Sequence, residues 1–558
     1  MSTPTTKDRR RARPRPKGRS VAPEALAEVR ALLGDDPRRR DLLLEFLHRI
    51  QDNFGHLSAA HLVALAAELK LAPTEVYEVA SFYHHFDVVK EGETPPPPLT
   101  VRVCDSVTCE MFGARDLIQA LTASLGEGVR VQPVPCVGRC AGAPVAVVGQ
   151  NPVERADADS VAARVEARAV TAPLPGYPDL AAYRADGGYR LYQDCVAGKR
   201  YREDLISELD NAELRGLGGA GFPAGRKWRI LRQQPQPRLI AVNIDEGEPG
   251  TFKDRFYMER DPHRFLEGLL IAAWVIESSE IYLYLRDEYP ACREVLLREL
   301  AALRADSPGP LPQIHLRRGA GAYICGEESG MIESLEGKRG MPRLRPPYVA
   351  EVGLFDRPTL VHNLETLYWV REIVERGAAW FASQGRHGRK GLRSFSVSGR
   401  VVKPGVYLAP AGITVCELID EYCGGMLPGH AFHGYFPGGA SGGILPARLG
   451  DVSLDFGTLQ QHGCFIGSAA VIVLSDRDSV RAAALNAMRF FAHESCGRCT
   501  PCRVGTAKAA QLMAKPHWDR PLLEDLSRVM VDASICGLGQ AAPNPLRCVF
   551  EYFPEELN

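Results

Sequence analysis

Eight of the fifteen cysteines in this 558-residue chain stand at spacings that suit iron. Cys104 and Cys109 form C-x4-C, and Cys136 and Cys140 form C-x3-C. Four thiolates arriving from two loops make an all-cysteine metal site. The spacing is unlike the C-x2-C pairs of zinc ribbons, and a [2Fe–2S] cluster takes four thiolates. Two structural disulfides are the alternative, disfavoured in a chain without a secretory signal. Farther on, Cys496, Cys499 and Cys502 form C-x2-C-x2-C, with Cys536 as a distant fourth ligand and Cys548 as its rival. That spacing points to a [4Fe–4S] cluster, with zinc as the competing reading. Cys195, Cys292, Cys325, Cys416, Cys423 and Cys464 have no ligand spacing and read as small buried hydrophobes.

A second chemistry is written in glycine and carboxylate. Gly216, Gly218, Gly219, Gly221 and Gly225 put five glycines in ten residues, followed by Arg226, Lys227 and Trp228. Bare backbone, two cations and a ring suit a phosphorylated aromatic cofactor. Gly216, Gly218 and Gly221 satisfy G-x-G-x-x-G, but the dinucleotide fingerprint needs a strand before the glycines. Residues 204–214 read as helix instead, so any nucleotide here is held in a non-Rossmann way. Next, the apolar strand LIAVN delivers Asn243, then Asp245, Glu246 and Glu248. Carboxylates this close repel, and hydrogen bonds from ligand hydroxyls and amides would offset the cost. A second bare turn, GAGAYICGEESG, presents Tyr323, Gly326, Glu327 and Glu328 ahead of a predicted helix whose N-terminus can face a phosphate.

The elements that must position these residues follow in order. Residues 21–89 read as helical, with Val76, Val79, Ala80 and Tyr83 at i, i+3, i+4 and i+7. The histidines of HLSAAH and YHH have no carboxylate or cysteine at ligand spacing and read as solvated or core histidines. Four prolines, Pro95–Pro98, make a stiff linker. Residues 99–149 read strand, helix, strand, strand, with both cysteine pairs just beyond strand ends. Residues 153–178 read as a linker. Short strands over 392–474 make a packing module without chemistry, PGGASGG (437–443) forming tight turns. The remainder is helical.

Composition bounds the function. A net charge of −1 gives no bulk attraction to nucleic acid or membranes. It conceals an arm: residues 7–19 hold eight Lys/Arg against one Asp, and residues 1–20 read as a disordered basic tail. No apolar segment follows those arginines, and the longest uncharged apolar run, 268–276, is too short to span a bilayer. The expected location is cytoplasmic.

The motifs carry a resemblance. Residues 21–165, with LAPTEVYEVASFYHHF and all four early cysteines, resemble the thioredoxin-like [2Fe–2S] subunit of respiratory complex I. Residues 179–390 resemble its flavoprotein subunit, residues 392–474 the β-grasp domain that follows, and ESCGRCTPCRVG with SICGLGQ its [4Fe–4S] region, which favours Cys536 over Cys548. The resemblance implies a multidomain α/β chain: a tail (1–20), a helical leader (21–95), a thioredoxin-like [2Fe–2S] domain (96–170), an FMN- and NADH-binding domain (171–390), a β-grasp domain (391–475) and a helical [4Fe–4S] domain (476–558).

It implies that Gly216, Gly218, Lys227, Asn243, Asp245, Tyr323, Gly326, Glu327, Asn363 and Thr366 hold FMN. Gly219, Ala220, Phe222, Glu246, Glu248, Glu328, Arg345 and Tyr348 would contact NAD(H), with Phe222 and Tyr348 stacking the adenine and Glu248 as the catalytic candidate. His362 stands where asparagine is expected and Arg345 where lysine is expected, both near phosphate. A carboxylate at Glu328 would reject a 2′-phosphate, so NAD is expected over NADP.

A hydride carries two electrons and each cluster accepts one, which is why a flavin belongs between them. The chain shows no molybdopterin, nickel or quinone motif, so its second substrate belongs to a partner. LDFGTLQQHGCFIGSAAVIVLSDRDSV, ASICGLGQAAPNP and YFPEEL resemble most the β subunit of NAD-dependent molybdenum or tungsten formate dehydrogenases. That resemblance implies a heterodimer or higher hetero-oligomer with a large formate-oxidising α subunit bearing further iron–sulfur clusters. The diaphorase subunit of NAD-reducing hydrogenases is the alternative, with a complex I-like NADH dehydrogenase module beside it.

Overall fold

The computed structural model describes residues 19–557, so the expected basic tail lies, but for its last two residues, outside the described residues. Two compact units divide the chain. One runs to Ser81 and includes Phe86–Pro95; the other comprises Phe82–His85 and everything from Pro96. The first unit is helical: Pro23–Leu33, Leu43–Phe54, Ala59–Leu69 and Pro73–Ala80. Proline opens the first and last of these, where its missing N–H costs nothing. Ser58 caps the third by accepting the His61 amide at 3.1 Å. Val76, Val79 and Ala80 are buried as their spacing predicts. Tyr83 lies beyond the helix end, and in the second unit its hydroxyl donates to the Lys338 carbonyl at 2.8 Å.

The second unit holds three main sheets. In the first, the order is Val129–Val134, Leu99–Cys104, Val145–Val148, Asn151–Glu154, with the first pair parallel and the others antiparallel. The stretch from 153 read as a linker therefore completes this sheet and continues into the helix Ala158–Glu166. That helix buries only Val161, so most of it stays polar, and polarity is what gave it a linker's composition.

The second sheet is wholly parallel, ordered Thr359–Asn363, Arg238–Ile244, Ser278–Leu285, Gln313–Arg318. Its two central strands are mostly buried, as in a parallel sheet covered on both faces, while the edge strand Gln313–Arg318 is more polar. The helix Pro262–Ile276 buries all but two of its fifteen residues. The chain runs outward over three strands and then returns to pair Thr359–Asn363 with the first. The strand order thus reverses at that pair, where α/β sheets place ligands beyond the carboxyl ends. Asn243 and Asn363 stand in register at those ends.

The third sheet is mixed and five-stranded, built from Gly405–Pro410, Leu392–Gly399, Ala470–Ser475, Phe432–Phe436 and Leu445–Pro446. Helices Val480–His493, Thr500–Met513, Arg520–Ala533, Gly537–Ala541 and Asn544–Tyr552 follow. Among the described residues, no helix is long and apolar enough to cross a membrane.

Candidate functional site

The glycine loop joins helix Arg202–Asn211 to helix Ala224–Arg232, with no strand before it. Its neck is pinched by backbone bonds from Gly216 N–H to the Phe222 carbonyl (2.8 Å) and from Ala224 N–H to the Leu214 carbonyl (2.8 Å). Thr366 braces it by accepting the Leu217 amide at 2.9 Å. Gly219 (φ +132°) and Gly221 (φ +68°) adopt conformations that L side chains rarely take. A Cβ on Gly218 would lie 2.9 Å from Cβ of Asn363, so only glycine lets the loop approach the switch-point strand. Gly218 and Ala220 are exposed, as are the rings of Phe222 (41%) and Tyr348 (57%).

At the strand ends, Asn243 Nδ2 donates to the Gly326 carbonyl at 2.8 Å, and its Oδ1 accepts the Asp245 amide at 3.0 Å. Asp245 Oδ2 is buried and has no partner, and burial raises its pKa well above the carboxylate range. An orphaned carboxyl, exposed glycine backbone and two open rings fit a flavin and a dinucleotide. Lys227 Nζ donates to the Val361 carbonyl (2.8 Å) and stands 3.7 Å from Glu328. Glu327 caps helix Glu328–Leu335, accepting the amides of Ser329 (3.0 Å) and Gly330 (2.9 Å). Arg345 pairs with Glu327 and, at 3.1 Å, with Glu328. Tyr323 sits in the short turn Tyr323–Gly326 before that helix.

Glu248 is held through both of its oxygens. Its Oε1 accepts the amide and hydroxyl of Ser441 at 2.7 and 2.9 Å, and its Oε2 accepts the Tyr323 hydroxyl. Burial raises its pKa, and those three donors pull it back. Ser441 lies in PGGASGG, so the turn read as packing without chemistry touches the catalytic candidate. A Cβ on Gly439 would come within 2.6 Å of Glu248 Cγ, which is the reason for glycine there.

Two expected contacts differ. Glu246 is only 7% exposed and turns inward, accepting the amides of Asp254 (2.8 Å) and Arg255 (3.3 Å) and the Tyr289 hydroxyl (2.8 Å). Burial and the Asp254 charge raise its pKa to about 7. With both oxygens engaged inside the protein, it shapes the turn rather than facing the dinucleotide. His362, expected near phosphate, is 3% exposed, and its Nε2 accepts the Trp228 indole N–H at 2.8 Å. Burial, then the Lys227 charge, holds it neutral, so it buttresses the Lys227–Trp228 turn.

Sequence reasoning also missed Lys253, Asp254, Glu365 and Glu494. Lys253 Nζ, buried, meets Asp254 at 2.7 Å, Glu365 at 3.1 Å and Asn363 Oδ1 at 3.2 Å. Glu494 Oε2 accepts the Tyr323 amide at 2.9 Å, two residues before Cys496. The YHH histidines do acquire carboxylates by folding: His85 Nδ1 lies 2.8 Å from Asp287, and His84 stacks on His493 beside Glu494.

Cys104, Cys109, Cys136 and Cys140 are all buried. The Cys136 and Cys140 sulfurs lie 3.3 Å apart, and the Cys104 thiol contacts Cys109 and Cys136. Arg286 donates to the Cys136 carbonyl at 2.7 Å and Arg255 to that of Gly138 at 2.9 Å. Thiol hydrogen bonds from Cys104 and Cys140, with the Arg286 charge, hold Cys136 well below the ordinary thiol value. Four buried thiols with adjacent cation charge fit an anionic [2Fe–2S] site.

In the last domain Cys499 caps helix Thr500–Met513, Cys502 lies in its first turn and Cys536 caps Gly537–Ala541. Burial pushes the Cys502 thiol up to about 12, and Cys499, Cys536 and Cys496 are each near enough to add to the rise. A Cβ on Gly539 would lie 2.8 Å from Cys502 Cβ, so glycine permits the close approach. Cys548 is elsewhere, 3.5 Å from Cys464 in the apolar core. The set Cys496, Cys499, Cys502 and Cys536 fits a four-thiolate cluster.

Comparison with known proteins agrees with this geometry. The Nuo51 FMN-binding domain matches residues 209–372, the thioredoxin-like [2Fe–2S] ferredoxin 29–168, the SLBB domain 394–445 and the NADH-ubiquinone oxidoreductase-F iron–sulfur binding region 482–558. The chain is 40% identical over 395 residues to a subunit of the NADH-quinone oxidoreductase of Rhizobium meliloti (strain 1021), covering 68% of this chain and 93% of that protein. It is 40% identical over 373 residues to the mitochondrial NADH dehydrogenase [ubiquinone] flavoprotein 1 of Dictyostelium discoideum, covering 63% and 78%. Among solved structures, a chain of the NAD+-reducing [NiFe]-hydrogenase in the air-oxidized state superimposes with a TM-score of 0.80 at 33% identity, over 94% of both chains. The cofactors of the present chain are therefore FMN, one [2Fe–2S] and one [4Fe–4S] cluster, with NAD(H) as the family's dinucleotide. From these matches and the site they describe, the chain belongs to the 51 kDa-type flavoprotein family of the NADH-quinone oxidoreductases.

Proposed function

We propose that this chain is the diaphorase subunit of an NAD-dependent formate dehydrogenase. A partner oxidises formate at molybdenum or tungsten, and electrons enter here through iron and leave as hydride on NAD+. The observation that carries the diaphorase reading is the switch-point cleft, where Glu248 is fixed by Ser441 and Tyr323 while Tyr323 also donates its amide to Glu494 beside Cys496. Nicotinamide contact and cluster ligand are thereby joined through one tyrosine.

Bound FMN supplies the exchange between paired electrons of a hydride and the single electrons that iron accepts. The chain's own groups bind and orient. Lys227 offers its ammonium to phosphate, beside the exposed backbone of Gly218 to Ala220. Asp245, whose carboxyl burial pushes above its ordinary value, offers its unpartnered Oδ2 to the cofactor's polar groups. Glu248 accepts the nicotinamide carboxamide, Phe222 and Tyr348 sandwich the adenine, and Glu328 accepts the adenosine ribose hydroxyls.

The formate assignment rests on the likeness of the C-terminal segments to formate dehydrogenase β subunits. The hydrogenase diaphorase is the second reading, favoured by the superposition on an NAD+-reducing [NiFe]-hydrogenase chain over 94% of this one. Purifying the native complex separates them: molybdenum or tungsten with formate-dependent NAD+ reduction supports the first, nickel with hydrogen-dependent reduction the second.

A further inference from the structure

A cavity of about 300 Å³ opens between residues 213–215 and 217, at the root of the glycine loop, and residues 381, 388–390, 392, 393, 411 and 455, where the flavin domain passes into the β-grasp domain. It shares no lining residue with the flavin or nicotinamide groups assigned above. Its ionisable lining is Arg215, Arg389, Lys390 and Arg393 against Glu213 and Asp455, an excess of two positive charges. Asp455 already serves two guanidiniums, Arg389 Nε at 2.7 Å and Arg393 Nη2 at 2.8 Å. Arg393 is 4% exposed, lies 4.1 Å over the Phe456 ring, and its Nε has no acceptor in the protein. A buried guanidinium donor left without an acceptor is unfavourable and uncommon in folded proteins. At the mouth, Lys390 pairs with Glu213 at 2.6 Å with both side chains half exposed. Such a bridge is weak in water and opens readily.

We infer that this cavity is a binding site for a small oxyanion, a phosphoryl or dicarboxylate compound. It would lie against Arg389 and Arg393 at the floor, and Lys390 would exchange Glu213 for the incoming anion. Planar guanidiniums match carboxylate and phosphoryl oxygens in pairs. Volume near the lower end of ligand pockets limits the guest to a small metabolite rather than a dinucleotide. Arg215 directly precedes Gly216, so the guest would sit against the root of the cofactor loop.

Calorimetric titration of the FMN- and cluster-loaded chain, with saturating NAD+ filling the nicotinamide cleft, tests the site. Inorganic phosphate and succinate are the two probes. One saturable site per chain is expected, with the two probes competing and binding weakened about tenfold or more by Lys390→Glu and by Arg389→Gln. Dye reduction by the Lys390→Glu protein, unchanged from wild type, reports that the fold is intact. Tighter phosphate binding would assign a phosphoryl guest and tighter succinate binding a carboxylate guest, both in support. Absence of saturable binding for both probes, or binding that neither substitution weakens, overturns the inference.

Discussion

Ser441 donates to one oxygen of Glu248 twice, from its backbone amide at 2.7 Å and from its hydroxyl at 2.9 Å. These residues are 193 apart in sequence, and the contact makes the third sheet's PGGASGG turn a wall of the cleft around Glu248. Hydrogen bonds to an ionised carboxylate favour that form and lower its pKa. Burial meanwhile raises the Glu248 pKa, so the two effects oppose.

Ser441→Ala removes the hydroxyl and keeps the amide. The pKa of Glu248 should rise by about half to one unit, the equivalent of one hydrogen bond. Activity that needs the carboxylate ionised is lost as pH falls through that pKa, so the acid limb of the NADH:dye profile moves to higher pH. Ser441→Thr, which keeps the hydroxyl, should leave the limb in place. An unmoved limb in the alanine protein would contradict the assignment.

The two clusters should be separable. Cys140→Ser should remove the [2Fe–2S] signal by electron paramagnetic resonance and leave the [4Fe–4S] signal, while Cys536→Ser should do the reverse. Cys548→Ser should spare both, because that sulfur sits beside Cys464 in the apolar core. Loss of the [4Fe–4S] signal in the Cys548 protein would identify a different ligand set.

Glu328 lies within reach of both Lys227 (3.7 Å) and Arg345 (3.1 Å). At the adenosine ribose it would accept hydroxyl hydrogen bonds and repel a 2′-phosphate. NADH should therefore exceed NADPH in kcat/KM by tenfold or more, about 1.4 kcal/mol. Glu328→Ala should narrow that ratio, and equal rates with both dinucleotides in the wild-type chain would refute the role.

The buried group of Lys253, Asp254 and Glu365 gives a stability prediction. Lys253→Met leaves two carboxylates without their cation, which costs about 3–5 kcal/mol for a buried pair. The denaturation midpoint of the variant should fall accordingly, and a midpoint equal to wild type would show that the carboxylates take up protons at no cost.

The sequence displayed the parts of the site that are local. Cysteine spacing, the glycine loop and the carboxylates after an apolar strand are each confined to a few residues, and the structure brings the glycine loop and that strand together at the ends marked by Asn243 and Asn363. What stayed hidden are contacts between distant segments. Ser441 looked like a turn residue because its partner is far along the chain. Lys253 and Asp254 gave no signal of their own because Glu365, which pairs with Lys253, comes more than a hundred residues later. Glu246 and His362 show the converse: motif position does not reveal which way a side chain turns, and both turn into the protein. The strand Asn151–Glu154 was obscured because an edge strand with a proline has little apolar patterning.

The most direct measurement is NADH-dependent reduction of ferricyanide by the isolated chain, carrying FMN and both clusters, without a partner subunit. Turnover that disappears when FMN is stripped and returns when FMN is restored is the predicted result. A chain with flavin and iron both bound that transfers no electrons from NADH to the dye would contradict the proposal.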